Sequence, residues 1–419
     1  MTDSSQIPRP GPSVPGAGSR ALTRVLGMPP AEFAEQVWSR APLLTRAADL
    51  PRDFSDLFGA DAVDELVSRR ALRTPFARMA RDGATLPERQ FTLGGGVGAG
   101  IGDQLSEDRI LREFASGATL VLQALHRTWA PIQEFAADLS DDLGHPVQVN
   151  AYVTPPQSQG FSDHYDVHDV FVLQIAGEKQ WRIREPVLEA PLRDQPWERR
   201  RAAVEQAATA EPLLEETLRP GDCLYLPRGY LHAATALGGT SIHLTIGVHA
   251  WTRRHLVDTL LARVTDRLAD DVEARRSLPL ASGRSGSSEV GFADDAEVVR
   301  ALIAKALQDI DVDEVVDGLR GSVRGAQRAE PLGVLDQTVR ATDATTRWRP
   351  RRHLAAHWEG DGDLCTHVSR VGRFAVGADE RDAVADVLDG IREPSELEPE
   401  LRARLALAGL LVPDDPQDP

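Results

Sequence analysis

Residues 161–183 read FSDHYDVHDVFVLQIAGEKQWRI, and this stretch decides the fold. It opens with a histidine and an aspartate, His164 and Asp166, separated by one residue. In an extended chain such residues point the same way, about 7 Å apart along the strand. One imidazole and one carboxylate are two of the three ligands in the 2-His-1-carboxylate arrangement that holds non-haem Fe(II). The pattern therefore predicts a metal site that needs one further histidine.

A candidate for the third ligand lies in GDCLYLPRGYLHAATA, residues 221–236. Pro227 to Gly229 read as a turn, and His232 begins the extended run that follows it. A His-x-Asp pair alone is weak evidence, because most such pairs are ordinary surface or core residues. Here the pair is followed by an apolar run, a turn at Gly177 and then Lys179. That context favours a metal centre of His164, Asp166 and His232.

Four blocks of the sequence resemble the JmjC-type 2-oxoglutarate oxygenases of the cupin-4 group, the ribosomal-oxygenase-like proteins. They are GATLVLQALHRTW (117–129), the run from Asn150 to Ile183, GDCLYLPRGYLH (221–232) and SIHLTIGVH (241–249). The sequence likeness covers about residues 20 to 250, and the rest of the chain resembles the family in architecture only. It implies Fe(II), 2-oxoglutarate as co-substrate, O₂, and hydroxylation of a protein side chain.

The resemblance also implies a domain plan. The fold class is a mostly β double-stranded β-helix (cupin/JmjC jelly roll) with flanking helices over 20–250. A helical domain, 251–340, follows and serves dimerisation in the family; apolar residues at helical spacing from Leu256 to Leu268 agree with it. A winged-helix-like module, 341–413, closes the chain. Residues 1–19 are rich in Pro, Gly and Ser and predict a disordered tail.

Four further residues are predicted to bind the co-substrate or the substrate. Lys179 follows the Gly177 turn, on the expected next hairpin strand, where the family places the cation for the distal carboxylate. Asn150 and Tyr152 share one strand face just before the metal pair, and Thr245 points into the same barrel interior. Two alternatives stay open: Lys179 is a solvated turn lysine, and Asn150 and Tyr152 bond only each other or backbone.

The other histidines receive supporting roles. His168 shares the strand face of Asp166 and could in principle be a ligand, but the family resemblance favours His164, so His168 is expected beside the ligands. His243 alternates with apolar neighbours and is expected to be a core residue or to lie beside the ligands. His126 and His145 are expected to be structural.

Charge and composition limit the partners. The 419 residues carry 47 Lys and Arg against 64 Asp and Glu, a net charge of −17. Non-specific nucleic-acid binding rests on basic side chains, and residues 341–419 carry 10 basic against 16 acidic residues. We therefore expect a protein-interaction role for the last module and no direct DNA binding. Two cysteines give no disulfide framework, and no apolar run is long enough for a membrane span. The N-terminus lacks the hydrophobic segment of a secretory signal. These features predict a cytoplasmic location.

The resulting prediction is a 2-oxoglutarate-dependent dioxygenase that hydroxylates a protein side chain, with a histidine or arginine of a ribosomal protein as the expected target. Two alternatives remain from the sequence. One is a hydroxylase of a small molecule or peptide natural product, with the same site and a different entrance, which the loop 94–102 and the insert 185–212 would decide. The other is a non-catalytic metal-binding cupin that acts as a regulatory module, since one fold hosts many functions.

Overall fold

The computed structural model describes residues 20–81, 83–158, 161–278, 292–360 and 362–414. The predicted disordered tail, 1–19, lies outside the described residues. The chain divides into two compact units, one ending at His249 and the other beginning at Ala250. Each unit has its own apolar core.

The first unit combines helices with one large antiparallel sheet. Its described helices are α1 (Arg20–Val25), α2 (Pro30–Gln36), α3 (Ala60–Ser68), α4 (Glu107–Ala115), α5 (Leu125–Thr128), α6 (Ala130–Leu143) and α7 (Arg201–Ala207). Its described strands are β1 (Leu43–Thr45), β2 (Ala77–Arg81), β3 (Ala84–Thr85), β4 (Thr92–Leu93), β5 (Gln104–Leu105), β6 (Thr119–Leu122), β7 (Val147–Thr154), β8 (Asp169–Arg184), β9 (Leu214–Leu218), β10 (Cys223–Leu226) and β11 (Leu231–Val248). The strand order in the large sheet is β1-β10-β8-β11-β7-β6-β2-β3, with β9 paired to β8.

The two longest strands, β8 and β11, pair with each other on both sides of an irregularity. Glu178 pairs with Leu237, whereas Ala176 pairs with Ile242, so β11 carries extra residues opposite Gly177. Gly177 has a φ of +63°, a left-handed conformation that glycine adopts readily. The expected hairpin turn at this glycine was wrong, because β8 bends there and continues as one strand.

An apolar cluster fixes the outer face of β8 against the helices. Phe171 is fully buried, and its ring lies 6.0 Å from that of Phe33 on α2 and 4.9 Å from that of Tyr225 on β10. Complete burial of a phenylalanine side chain contributes about 1.5–3 kcal/mol. The alternation of a strand then points the neighbouring residues, Val170 and Val172, to the other face.

A buried carboxylate, Asp169, ties the start of β8 to the turn before β11. It is fully buried and accepts hydrogen bonds from Ser39 Oγ at 2.8 Å, Tyr225 OH at 2.7 Å and the Arg228 backbone N–H at 3.0 Å. The Arg228 guanidinium lies 3.2 Å away. Because Asp169 and Arg228 each lie within four residues of a predicted ligand, this network holds the two halves of the candidate site together.

We expect Asp169→Asn to destabilise the first unit by about 3 kcal/mol, since breaking a buried ion pair leaves its partner uncompensated. Urea unfolding measures the change. Ser39→Ala is the matched control, because it removes one neutral donor and costs about 1 kcal/mol. Equal stability of the Asn variant and the wild-type protein would contradict the anchoring role.

The second unit has helical and mixed parts. Its described helices are α8 (Arg253–Asp270), α9 (Ala293–Gln308), α10 (Val312–Gly325), α11 (Val334–Arg340), α12 (Ala378–Leu388) and α13 (Pro399–Leu407). Its described strands are β12 (Trp348–Pro350), β13 (His357–Glu359), β14 (Leu364–Ser369), β15 (Gly372–Gly377) and β16 (Leu411–Pro413). The helix predicted from Leu256 to Leu268 is present as α8. Among all described helices, none is both long and apolar enough to cross a membrane.

Two apolar clusters and a charged clamp organise this unit. One cluster contains Val264 and Val315, and the other contains Trp348 and Leu405. Glu330 is buried and accepts bonds from Arg349 and Arg352. Burial raises the pKa of Glu330, but the arginine hydrogen bonds and charges outweigh it and lower the pKa to about 2.

Candidate metal centre

The three predicted ligands meet at the junction of two chain segments. His164 and His232 form an isolated antiparallel bridge, with backbone N···O distances of 3.2 and 2.9 Å in the two directions. Asp166 lies in the loop between His164 and β8, and its carbonyl oxygen accepts from the Gly229 N–H at 3.0 Å. The expectation of a regular strand through His164 and Asp166 was therefore wrong, because His164 forms a β-bridge with the neighbouring segment whereas Asp166 contributes one backbone hydrogen bond.

The alternation of side chains nevertheless survives in this loop. Tyr165, between the two ligands, is 1% exposed and belongs to an apolar cluster with Val204 and Leu231. Its hydroxyl donates to the Gln195 carbonyl oxygen at 2.9 Å. An anchored Tyr165 on one side leaves His164 and Asp166 on the other, where they line the same cavity.

The geometry of these three side chains suits one ion. One donor atom from each lies within 4.8 Å of the other two, the His232 Nε2 to Asp166 Oδ2 distance is 3.7 Å, and the imidazole centroids are 4.4 Å apart. His164 Nδ1 is 2.8 Å from the Ser162 carbonyl oxygen and His232 Nδ1 is 3.0 Å from that of Tyr230. Each Nδ1–H donates to a carbonyl, so each Nε2 lone pair is free for a metal.

The electrostatics favour the ligating protonation states. Burial lowers the pKa of His232 to about 4, with a smaller contribution from His164, so its imidazole is neutral near pH 7. Burial raises the pKa of Asp166, but the neighbouring histidines, His168 first, bring it below its usual value. A carboxylate with two imidazoles is the donor set of a non-haem Fe(II) site with open positions. The residues present therefore fit a divalent metal.

The ligands line a small cavity of about 60 Å³. Its walls are Thr119, Tyr152, Phe161, His164, Asp166, Val170, Val172, Lys179, Trp181, His232, Ala233, Ala234, His243 and Thr245. Lys179, Tyr152 and Thr245 were predicted from the sequence, and the structure brings all three to the cavity that holds the ligands.

Lys179 is a buried cation, 4% exposed, and not a solvated turn residue. Its Nζ donates to Thr154 Oγ1 at 3.1 Å. No carboxylate pairs with it among the described residues, and burial lowers its pKa from 10.5 to about 7. A lysine with this burial and no anionic partner is stabilised by an incoming carboxylate.

Tyr152 and Asn150 separate in the structure. The Tyr152 ring stacks on the imidazole of His243, across the strand pair, at 4.9 Å and 6°. Asn150 Oδ1 instead accepts from the Ala124 backbone N–H at 3.1 Å, and Asn150 is not among the residues that line the cavity. Of the two, Tyr152 has the placement expected of a substrate contact, and Asn150 has the backbone partner that the alternative anticipated.

The sequence reasoning missed several wall residues. Trp181 stacks near His232 at 6.0 Å and meets His243 edge-on at 5.6 Å; its position two residues after Lys179 on one strand was the available signal. Thr119 comes from β6, far along the chain, and no local pattern marks it. His243, expected beside the ligands, lines the cavity, and burial lowers its pKa well below the usual value.

Three histidines that were given supporting roles, His126, His145 and His168, have other neighbours. His126 Nδ1 accepts from the Val149 N–H at 3.1 Å, and His145 stacks on Trp38 at 5.5 Å. The imidazole of His168 lies 5.3 Å from that of His249.

Comparison with known proteins places this geometry in a class. Residues 127–256 match the family described as "JmjC domain". The chain is 30% identical over 305 residues to "Ribosomal oxygenase 1" of Gallus gallus, covering 69% of this chain and 47% of that protein. It is 37% identical over 184 residues to "Bifunctional lysine-specific demethylase and histidyl-hydroxylase NO66" of Drosophila erecta, covering 41% of this chain and 28% of that protein. The chain spans about half the length of the first of these relatives and less of the second.

Solved structures support the JmjC/cupin fold. Escherichia coli ycfD superposes with a TM-score of 0.56 at 17% identity, covering 92% of this chain and 98% of that one. A structure of the same E. coli ribosomal oxygenase in complex with cobalt and 2-oxoglutarate gives a TM-score of 0.52 at 16% identity, with the same coverage. At these identities the likeness concerns the fold alone. The chain thus carries a JmjC domain, and the resemblance to ribosomal-oxygenase-like proteins predicted from the sequence is confirmed.

Proposed function

We propose that this protein is a 2-oxoglutarate-dependent oxygenase that hydroxylates a side chain of a protein substrate. His164, Asp166 and His232 would hold Fe(II), and Lys179 would bind the far carboxylate of 2-oxoglutarate. When bound, these groups and O₂ supply the oxidising chemistry that inserts an oxygen atom into a C–H bond. The protein's own part is to orient the reactants and exclude water.

The observation that carries the proposal is the buried Lys179 in the cavity of the metal ligands. A buried charge without a partner is costly, and a cupin that served only as a regulatory metal module would not need one. The apolar wall, which includes Val170, Val172 and Trp181, excludes water from the same space. Tyr152, His243 and Thr245 provide the polar groups that would contact co-substrate or substrate.

A protein substrate is favoured over a small molecule by the relatives. Their names describe a ribosomal oxygenase and a histidyl-hydroxylase, so a histidine of a ribosomal protein is the first target to test and an arginine the second. The net charge of −17 favours association with a basic partner. We also propose that residues 251–340 form a homodimer, that 341–413 form a winged-helix-like module that contacts protein and not DNA, and that the protein acts in the cytoplasm.

The test is a turnover assay with the full chain, Fe(II), 2-oxoglutarate and ascorbate, on ribosomal proteins from a strain that lacks this gene. We expect mass spectrometry to find one added oxygen atom on one peptide, together with an equal amount of succinate. The same substrate mixture treated with His232→Ala provides the control. Succinate without any oxidised peptide would favour a small-molecule substrate, and neither product would favour the regulatory module.

A further inference from the structure

A second cavity opens directly beside the metal centre. Its volume is about 350 Å³, whereas the metal cavity has about 60 Å³. A water molecule needs roughly 10–15 Å³ of cavity volume, so the metal cavity has room for little more than one small organic acid. Any substrate larger than a side chain must therefore extend outside it.

The second cavity shares two wall residues, Phe161 and His164, with the metal cavity. Its opposite wall comes from the insert predicted to decide the entrance: Trp197 in a short 3₁₀ turn, then Arg201 and Glu205 on α7. The Trp197 ring lies 6.4 Å from the ligand imidazole of His164. We call this cavity the α7 groove.

The charges of the α7 groove are unequally satisfied. Asp163 pairs with Arg184 at 2.7 Å. The Arg201 guanidinium lies 4.8 Å from the centroid of Trp197, which shows that this ring accepts a cation. Glu205 is exposed and has no ion-pair partner among the residues that the structure describes. Next to the metal centre the groove therefore presents the Trp197 ring, which Arg201 contacts on one face, and the Glu205 carboxylate, which has no ion-pair partner among the described residues.

We infer that the α7 groove binds the stretch of substrate that flanks the target residue, and that it selects a basic side chain there through Glu205 and the Trp197 ring. This inference rests on the proposed function for the identity of the substrate as a protein, and it names the recognition element of that substrate. An extended peptide fits a groove of this size, and lysine or arginine complements the carboxylate. Arg201, one helical turn before Glu205, carries the same charge as the incoming side chain and opposes it.

Binding tests the inference without turnover. The probes are two fluorescein-labelled glycine/serine peptides with a central histidine, one flanked by arginine and the other by citrulline at the same positions. The protein is the full chain, loaded with Mn(II) and 2-oxoglutarate under anaerobic conditions. We expect the citrulline peptide to bind about three- to tenfold more weakly, because exposed ion pairs and exposed cation–π contacts each contribute only a small factor. The difference shrinks in high salt.

Variants then assign the preference to the α7 groove. Glu205→Gln should remove most of the arginine preference, and Trp197→Leu should reduce it. Glu211→Gln, an exposed glutamate of the same insert that does not line the groove, should keep it. Arg201→Gln tests the charge of the side chain that the groove binds. The arginine peptide should bind this variant more tightly if the groove selects a basic side chain, and more weakly if it selects an acidic one.

The outcomes separate this inference from the proposed function. Equal binding of the two peptides, or no binding of either, overturns the inference, even if a hydroxylated ribosomal peptide is found. A preference that survives Glu205→Gln also overturns it. A preference that Glu205→Gln abolishes supports the groove, even if the turnover assay yields no oxidised product.

Discussion

The Asp166→Ala variant is expected to lose all measurable hydroxylation while it keeps its fold. The carboxylate lines the metal cavity with His164 and His232 and takes no part in the apolar core. Replacing groups that only orient metal ligands costs about 10–100-fold in affinity, so we expect loss of a ligand to cost more than about 100-fold. Isothermal titration with Mn(II) measures the affinity, and succinate formation measures the turnover.

The control for this prediction is Asp194→Ala, an exposed carboxylate in the insert that lies outside the metal cavity. It should bind Mn(II) like the wild-type protein. Urea unfolding of the metal-free Asp166→Ala protein should show stability within about 1 kcal/mol of the wild-type value, because the carboxylate is partly exposed and its favourable contacts are with neighbouring imidazoles. An Asp166→Ala protein that binds Mn(II) normally would remove Asp166 from the ligand set.

The clustering of the three candidate ligands could be predicted from the sequence because it depends on residue types and local spacing. A histidine and an aspartate one residue apart share a side of any extended segment, and the structure keeps that property even in a loop, since Tyr165 anchors the other side. His232 could be found because a turn marks the beginning of its strand. These features are local, so one sequence contains them.

The part of the cavity wall that β8 forms could not be predicted from the sequence, because the alternation of side chains along this strand is interrupted at Gly177. Before the bend the even-numbered Val170 and Val172 face the cavity, and after it the odd-numbered Lys179 and Trp181 do. Extending the alternation from Val172 would have turned Lys179 away from the metal. Family resemblance, and not periodicity, gave its correct side.

Long-range pairing accounts for the rest. Thr119 reaches the cavity because β6 pairs with β7, with Val121 opposite Tyr152, and nothing within β6 encodes that partner. Asn150 shows the converse. Its polar side chain on the correct strand face indicated a binding residue, but the backbone N–H of Ala124 satisfies its oxygen.

The second large effect is expected at Lys179. Lys179→Met keeps an unbranched side chain that is one heavy atom shorter and removes the charge, so the co-substrate carboxylate loses a charge-assisted bond worth about 1.5–3 kcal/mol. The KM for 2-oxoglutarate should rise roughly 10- to 100-fold, while Mn(II) affinity stays unchanged because Lys179 is not a ligand. Lys179→Arg keeps the charge, but its larger planar group has little room in this cavity, so only partial recovery is expected.

The dependence on pH distinguishes a carboxylate partner from a packing role. Burial lowers the pKa of Lys179 in the ligand-free protein from 10.5 to about 7. Between these two pH values the unfolded chain binds more protons than the folded protein, so the free-energy cost of burying Lys179 decreases as the pH rises. An anionic ligand has the opposite effect on the pKa of Lys179, because it binds the protonated lysine and raises that pKa. Binding then takes up a proton above pH 7, and 2-oxoglutarate affinity should fall by up to tenfold for each pH unit there.

Calorimetry in two buffers of different ionisation enthalpy, from about pH 6.5 to 8.5, measures this proton uptake directly. The Lys179→Met protein is the control: its 2-oxoglutarate affinity should be lower and should lack the lysine-dependent change with pH. Proton uptake that persists in the Met variant would assign the titration to another group. A wild-type KM for 2-oxoglutarate in the Lys179→Met protein would show that the buried lysine does not bind the co-substrate, because removal of a charge that binds the carboxylate must weaken binding.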